Sequence, residues 1–324
     1  MSDFFGHEKQ WLFLKKSESL GKLSHAYLFS GKPGLGKRKI ALEFAKFLNC
    51  QDKDFSQRPC GKCSSCLETE KNCHPDFLLL ETKEKTEEGE IDSIRFLTNW
   101  LSLKPGLGKY KVAVIDQFQN FSLPAQSALL KTLEEPRGNA VLILISDYPE
   151  FLSSTITSRL QEIKFHSLSV KETTDFLVSR GAKEPLAKRA SLLSLGRPLR
   201  ALKLLKKEEM EAEEKKLEAF TDLLAESLSV WFRQIEKMAE NKEGLIETLE
   251  AWLNFLRILF LAKIGSLKQD FSGEREKAFL NKGDSIPLAK LKSFLSSLEK
   301  ANYLLLRTNA NSRLILENSV LELF

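Results

Sequence analysis

The first half of the chain alternates short apolar runs with amphipathic ones, and the second half does not. His25-Ala26-Tyr27-Leu28-Phe29-Ser30 is apolar almost throughout and reads as a buried strand ending at Gly31. Lys39 to Leu48 follows with Ile40, Phe44, Phe47 and Leu48 at the spacing of one helix face. Further strands are expected at Asp76–Glu81, Lys111–Asp116, Ala140–Ser146 and Gln161–Phe165. Helices are expected between them over about Ile91–Leu103 and Leu123–Glu134, and the polar stretch Thr82–Glu90 follows the second strand. This alternation predicts an α/β domain with a mostly parallel sheet wrapped on both faces. After about His166 the strand signals stop. Helical spacing recurs at Val170–Ser179, Pro185–Leu195, Arg200–Leu205, Glu208–Glu240, Gly244–Ile264, Leu288–Leu306 and Ser312–Leu323, with a polar loop at Gln269–Ser285. The pattern implies an α/β core, then a small helical domain, then a larger one.

Composition adds little to this. The 324 residues are 42% hydrophobic and 29% charged, ordinary for a globular protein. A net charge of +5, spread among interleaved acids and bases, does not mark a nucleic-acid track. Met1 to His7 carries no secretory pattern, and the apolar stretch Trp252–Ile264 is too short to span a bilayer. A cytoplasmic protein without a membrane segment is expected. Four of the five cysteines fall between positions 50 and 66, which in that compartment suggests a metal rather than disulfides.

Three constellations carry chemistry. Gly31-Lys32-Pro33-Gly34-Leu35-Gly36-Lys37-Arg38 is a phosphate-binding loop between a strand and a helix. Gly31, Gly34 and Gly36 let backbone N–H groups surround phosphate oxygens, and Lys37 would reach the β/γ-phosphates. Arg38 stands where a hydroxyl should ligate Mg²⁺. Asp116 ends the third strand as a metal-binding acid would, but Gln117 replaces the glutamate that activates water, and an amide is no general base. Two losses argue against ATP hydrolysis, and leave open whether the loop is vestigial or still holds nucleotide without turning it over. Cys50, Cys60, Cys63 and Cys66, with two C-x-x-C steps, suit one structural tetrahedral Zn²⁺. Cys73 and His74 are bystanders in this reading, or substitute ligands if the register differs. Ser158-Arg159 follows the fourth strand. Arg159 is either a surface salt-bridge residue or a finger reaching a neighbouring subunit's γ-phosphate, and position alone does not decide.

Several segments together resemble the clamp loader of bacterial DNA polymerase III, an AAA+ assembly. They are Leu23 to Gly31, the cysteine insert followed by His74-Pro75-Asp76, Ala128-Leu129-Leu130-Lys131-Thr132-Leu133-Glu134-Glu135-Pro136, and Ser158-Arg159. The resemblance covers residues 5 to 205, and Asn309 to Leu314 resembles the start of the family's last collar helix. It implies an AAA+ phosphate-loop core with a zinc insert (residues 1–166, the zinc module at about 50–74), a helical lid (167–207) and an all-α collar for oligomerisation (208–324). The family's motor subunits, gamma and tau, carry a complete loop and an Asp-Glu pair. Here Arg38, Gln117 and Leu199, the last at the sensor-2 arginine position with Arg197 and Arg200 beside it, match the delta-prime branch. That branch implies no catalysis by the chain alone, within the polymerase holoenzyme. It implies Arg159 acting in trans on ATP held by a motor subunit, and partners gamma/tau and delta in a hetero-pentamer, the sliding clamp and primer-template DNA. Leu160 departs from the family's Ser-Arg-Cys. The alternatives are an active ATPase of gamma/tau type and a zinc-containing DNA-binding module.

Overall fold

Alternation along each strand decides the layering of the first half. The computed structural model describes residues 6–81, 86–135, 138–266, 280–281, 286–308 and 310–324. These form two units, one ending at Ser167 and one running from Leu168 to Phe324. The first unit contains, in order, α1 (Glu8–Ser19), β1 (Ala26–Ser30), α2 (Lys37–Asn49), α3 (Ser64–Glu70), β2 (Phe77–Leu80), α4 (Glu87–Leu101), β3 (Lys111–Ile115), α5 (Leu123–Ala128), α6 (Leu130–Glu134), β4 (Ala140–Ser146), α7 (Ser154–Thr157) and β5 (Gln161–Lys164). The five strands are parallel in the order β2-β3-β4-β1-β5. Tyr27 and Phe29 enter one core with Trp11, Phe44 and Phe47. Ala26 and Leu28 enter another with Ile94, Leu97 and Phe118. A sheet buried on both faces needs apolar residues at both parities, which is why its strands read as unbroken apolar runs.

The cysteine insert is tied to this sheet by a polar anchor at the start of β2. His74 Nδ1 accepts the Asp76 N–H at 3.0 Å, so Nε2 carries the proton and donates to Ser65 Oγ of α3 at 3.1 Å. Asp76, 1% exposed, accepts the N–H groups of Gly106, Leu107 and Gly108 at 2.7 to 2.8 Å and pairs with Lys111 at 3.3 Å. Burial pushes this carboxyl up, but the three N–H groups and Lys111 outweigh it and hold it at about 2, against an ordinary 3.8. A carboxylate depressed in the folded state stabilises above its unfolded value and loses that contribution as pH falls toward the folded one. Asp76 is therefore expected to contribute up to about 2 kcal/mol above pH 4, draining away between about pH 4 and 2. Urea unfolding of Asp76→Asn beside the parent chain checks this. The gap between them should narrow in that window, and a pH-independent gap would contradict the assignment.

The second unit is helical throughout the described residues: α8 (Val170–Ser179), α9 (Glu184–Ser194), α10 (Pro198–Leu204), α11 (Lys207–Leu223), α12 (Leu228–Ala239), α13 (Lys242–Lys263), α14 (Leu288–Arg307) and α15 (Ser312–Val320). Its core gathers Phe220, Trp231, Trp252, Phe255 and Phe294, with Trp231 edge-on to Trp252 at 5.4 Å and to Phe294 at 6.0 Å. Two expected helices are each two helices. Leu123–Glu134 breaks at Leu129, and Glu208–Glu240 breaks over Leu224 to Ser227, where the chain turns before Ser227 takes an extended N-cap conformation. In both, apolar spacing continues across the break, so periodicity alone does not reveal it. Thr82–Lys85, Pro136, Asn309 and nearly all of Gln269–Ser285 lie outside the described residues. Among the described residues no helix is long and apolar enough to cross a membrane.

Candidate phosphate-loop site and cysteine centre

Parallel strands present their C-terminal ends on one edge of a sheet, and ligands of α/β folds collect there. Ser30 pairs with Ser146, Ile115 with Leu144 and Leu80 with Ile115. Gly31, Glu81, Asp116 and Asp147, each the residue after one of these strands, therefore share that edge. The loop has the backbone of a phosphate cradle: Gly31, Gly34 and Gly36 have φ of 142°, 82° and 89°. At Gly31 the sheet itself also forbids a side chain, since a Cβ would lie 2.3 Å from the Phe165 carbonyl oxygen.

Of the loop's cations Lys37 is turned inward, while Arg38 is exposed. Lys37 is 4% exposed, and its Nζ donates to the Lys32 carbonyl at 2.8 Å, to the Gly31 carbonyl and to Asp147 at 2.6 Å. Burial lowers its pKa, and Asp147 opposes that. Arg38 pairs with Glu81 and with Asp116 at 3.3 Å. Burial raises the Asp116 carboxyl, while Arg38 and the Gln117 N–H, 2.9 Å away, pull it down. The acid expected to hold a metal is thus already served by a guanidinium. Gln117 sits at φ 49°, its Oε1 accepting from Asn120 Nδ2 at 3.1 Å. At the sensor-2 position Leu199 is exposed. Of the flanking arginines, Arg197 is buried with Nε on the Ser194 carbonyl at 2.9 Å, and Arg200 pairs with Glu213. Sequence reasoning missed Glu81 and Asp147. The signal available for both was their place immediately after a parallel strand, at the edge where the loop lies.

At the other end of the sheet, Arg159 precedes β5. Its Nη1 donates to the Thr155 carbonyl at 2.7 Å and to Ser158 Oγ at 3.3 Å, and its Nη2 pairs with Glu134 at 2.7 Å. Ser158 Oγ in turn donates to the Thr155 carbonyl at 3.2 Å.

The four cysteines meet as their spacing predicts. The sulfurs of Cys50, Cys60, Cys63 and Cys66 lie within 4.8 Å of one another. Gly61, at φ 68°, makes the turn between two of them. The N–H groups of Cys60, Cys63 and Cys66 each donate to a cluster sulfur at 3.4 Å. Burial raises the Cys60 thiol, but the Lys62 and Cys63 N–H groups overcome this and bring it to about 7. N–H groups aimed at sulfur favour thiolate, and four sulfurs this close fit a tetrahedral soft cation, whose S···S edge is roughly 3.8 Å. His74 is occupied by Ser65 and Asp76 and is not among the four.

Residues 6–169, just over half the chain, match the family described as DNA polymerase III, delta subunit. The chain belongs to this clamp-loader subunit family. The family's tau subunit from Salmonella typhimurium is 35% identical over 171 residues, 53% of this chain and 26% of tau. The delta' subunit of Pseudomonas aeruginosa is 34% identical over 183 residues, 56% of each chain. The chain thus spans from about a quarter to about half the length of these relatives. Among solved structures, a DNA polymerase III gamma subunit-related protein of Thermotoga maritima aligns over 95% of this chain and 97% of its own, with TM-score 0.39 and 18% identity. The match covers the unit that carries the parallel sheet and the loop after β1.

Proposed function

We propose that the chain is a delta-prime-type clamp-loader subunit that does not hydrolyse ATP itself and donates Arg159 to a neighbouring motor subunit. The observation that carries this reading is the Arg38 guanidinium paired with Asp116 and Glu81. A fixed cation there competes directly with Mg²⁺ for the carboxylates, and Mg²⁺ is exacting about its ligands. Lys37 adds to the argument, because a phosphate would have to displace two carbonyls and Asp147 to reach it. The cysteine cluster is proposed to hold one structural Zn²⁺. Residues 167–207 would form the lid and 208–324 the collar. The partners would be gamma/tau and delta in a cytoplasmic hetero-pentamer that loads a sliding clamp onto primed DNA.

One observation favours a second reading, an active ATPase of gamma/tau type: identity to a tau subunit, at 35%, is as high as to a delta' subunit. Equilibrium nucleotide binding and turnover by the purified chain, with and without Mg²⁺, separate the two. No Mg²⁺-dependent binding and no turnover are expected. Steady MgATP hydrolysis that disappears in Lys37→Ala would establish the second reading and overturn the first.

A further inference from the structure

The end of α6 carries an electrostatic oddity. A helix leaves bare carbonyls at its C-terminus, where cations are favoured and carboxylates are not. α6 follows α5 after the single residue Leu129, and the pair ends in Glu134 and Glu135. Glu134 is repaid from another element, by Arg159 Nη2 at 2.7 Å. The other arm of the same guanidinium, Nη1, is anchored to α7, on the Thr155 carbonyl at 2.7 Å and Ser158 Oγ at 3.3 Å. One planar fork therefore spans two helices, and three contacts fix the plane that a flexible side chain would otherwise sample freely.

Satisfying the fork has not hidden it. The Arg159 side chain is 36% exposed and that of Glu134 51%. Among the described residues the guanidinium has three contacts, so its Nε and one N–H of Nη2 remain to donate elsewhere. An arginine that meets a phosphate oxygen gains most when its donors already point the right way, because the ordering cost is then spent before the encounter.

We propose that Glu134 is the positioning residue for Arg159, holding one edge of the guanidinium so that the other meets the γ-phosphate of a nucleoside triphosphate on the adjacent subunit. The proposal rests on reading Arg159 as the finger. Glu134 touches no nucleotide and acts only through the arginine. Its carboxylate supplies both direction and charge, and glutamine would keep only the direction.

The experiment is a double-mutant cycle in the complex reconstituted with its motor subunits, reading steady-state ATP hydrolysis. Glu134→Ala should lower kcat about fivefold, the weight of one exposed ion pair, with KM for ATP unchanged. Glu134→Gln should retain about half the parent rate. In an Arg159→Ala background, Glu134→Ala should change nothing further, since the group it acts through is gone. Melting of the isolated Glu134→Ala chain should stay within about 2 °C of the parent. The proposal falls if Glu134→Ala leaves kcat unchanged while Arg159→Ala lowers it, or if the two effects multiply. An unchanged rate in Arg159→Ala alone would instead remove the finger reading, and this proposal with it.

Discussion

Arg159→Ala in the reconstituted complex should slow turnover at the adjoining ATP site by about a thousandfold or more while the complex still assembles. Arginines that reach transferring phosphoryl groups in trans are worth roughly 10³ to 10⁵ in rate. The total rate would fall by at least that site's share. Assembly should survive because Arg159 lies at the surface, outside both cores of its unit. Arg159→Lys should recover little, since one ammonium cannot replace a fork that holds Thr155, Ser158 and Glu134 while also meeting phosphate. Hydrolysis by each purified complex, with assembly followed by gel filtration, is the measurement. An undiminished rate from a fully assembled Arg159→Ala complex would remove the finger from the proposed function.

The second large effect concerns the cysteine centre. Cys63→Ser is expected to abolish bound zinc and loosen residues 50–73 first. Cys63 does more than supply one sulfur, because that sulfur also caps α3 by accepting the Cys66 N–H. Free energy from a closed tetrathiolate site is folding free energy for the loop around it. A cost of about 3 kcal/mol, roughly 10 °C in melting temperature, is a conservative expectation. Zinc content by atomic absorption, melting with and without chelator, and mapping of the first proteolytic cut test it. A parent chain that purifies without metal and melts identically after Cys63→Ser would refute the site.

How much of this was legible depended on whether the signal was local. The strands were, because a parallel sheet buried on both faces demands runs such as Lys111–Ile115 and Ala140–Ser146. The cysteine cluster was, because its ligands lie within 17 positions and the two C-x-x-C steps bring sulfurs together through backbone geometry alone. The helix break before Ser227 was not, because apolar spacing survives a turn of that length. The partners of the site were also invisible. Arg38 meets Glu81 and Asp116 only because the strand order brings the ends of β2 and β3 near the loop after β1. Lys37 meets Asp147 because β4 lies beside β1. Glu134 and Arg159 join through packing at the opposite end of the sheet, and nothing in either segment announces the other.

Gly31 gives the loop a second history. Its missing side chain makes room for the Phe165 carbonyl just beyond β5, a requirement of chain packing that no nucleotide enters. A glycine pattern taken as the mark of ATP use is thus in part a mark of how one sheet edge closes. The sheet requires that glycine whether or not ATP is hydrolysed, whereas the exposed Arg38 side chain is under no such packing constraint. For this chain the loop glycines are therefore a weak mark of ATP use, and the residue following Lys37 is the better guide.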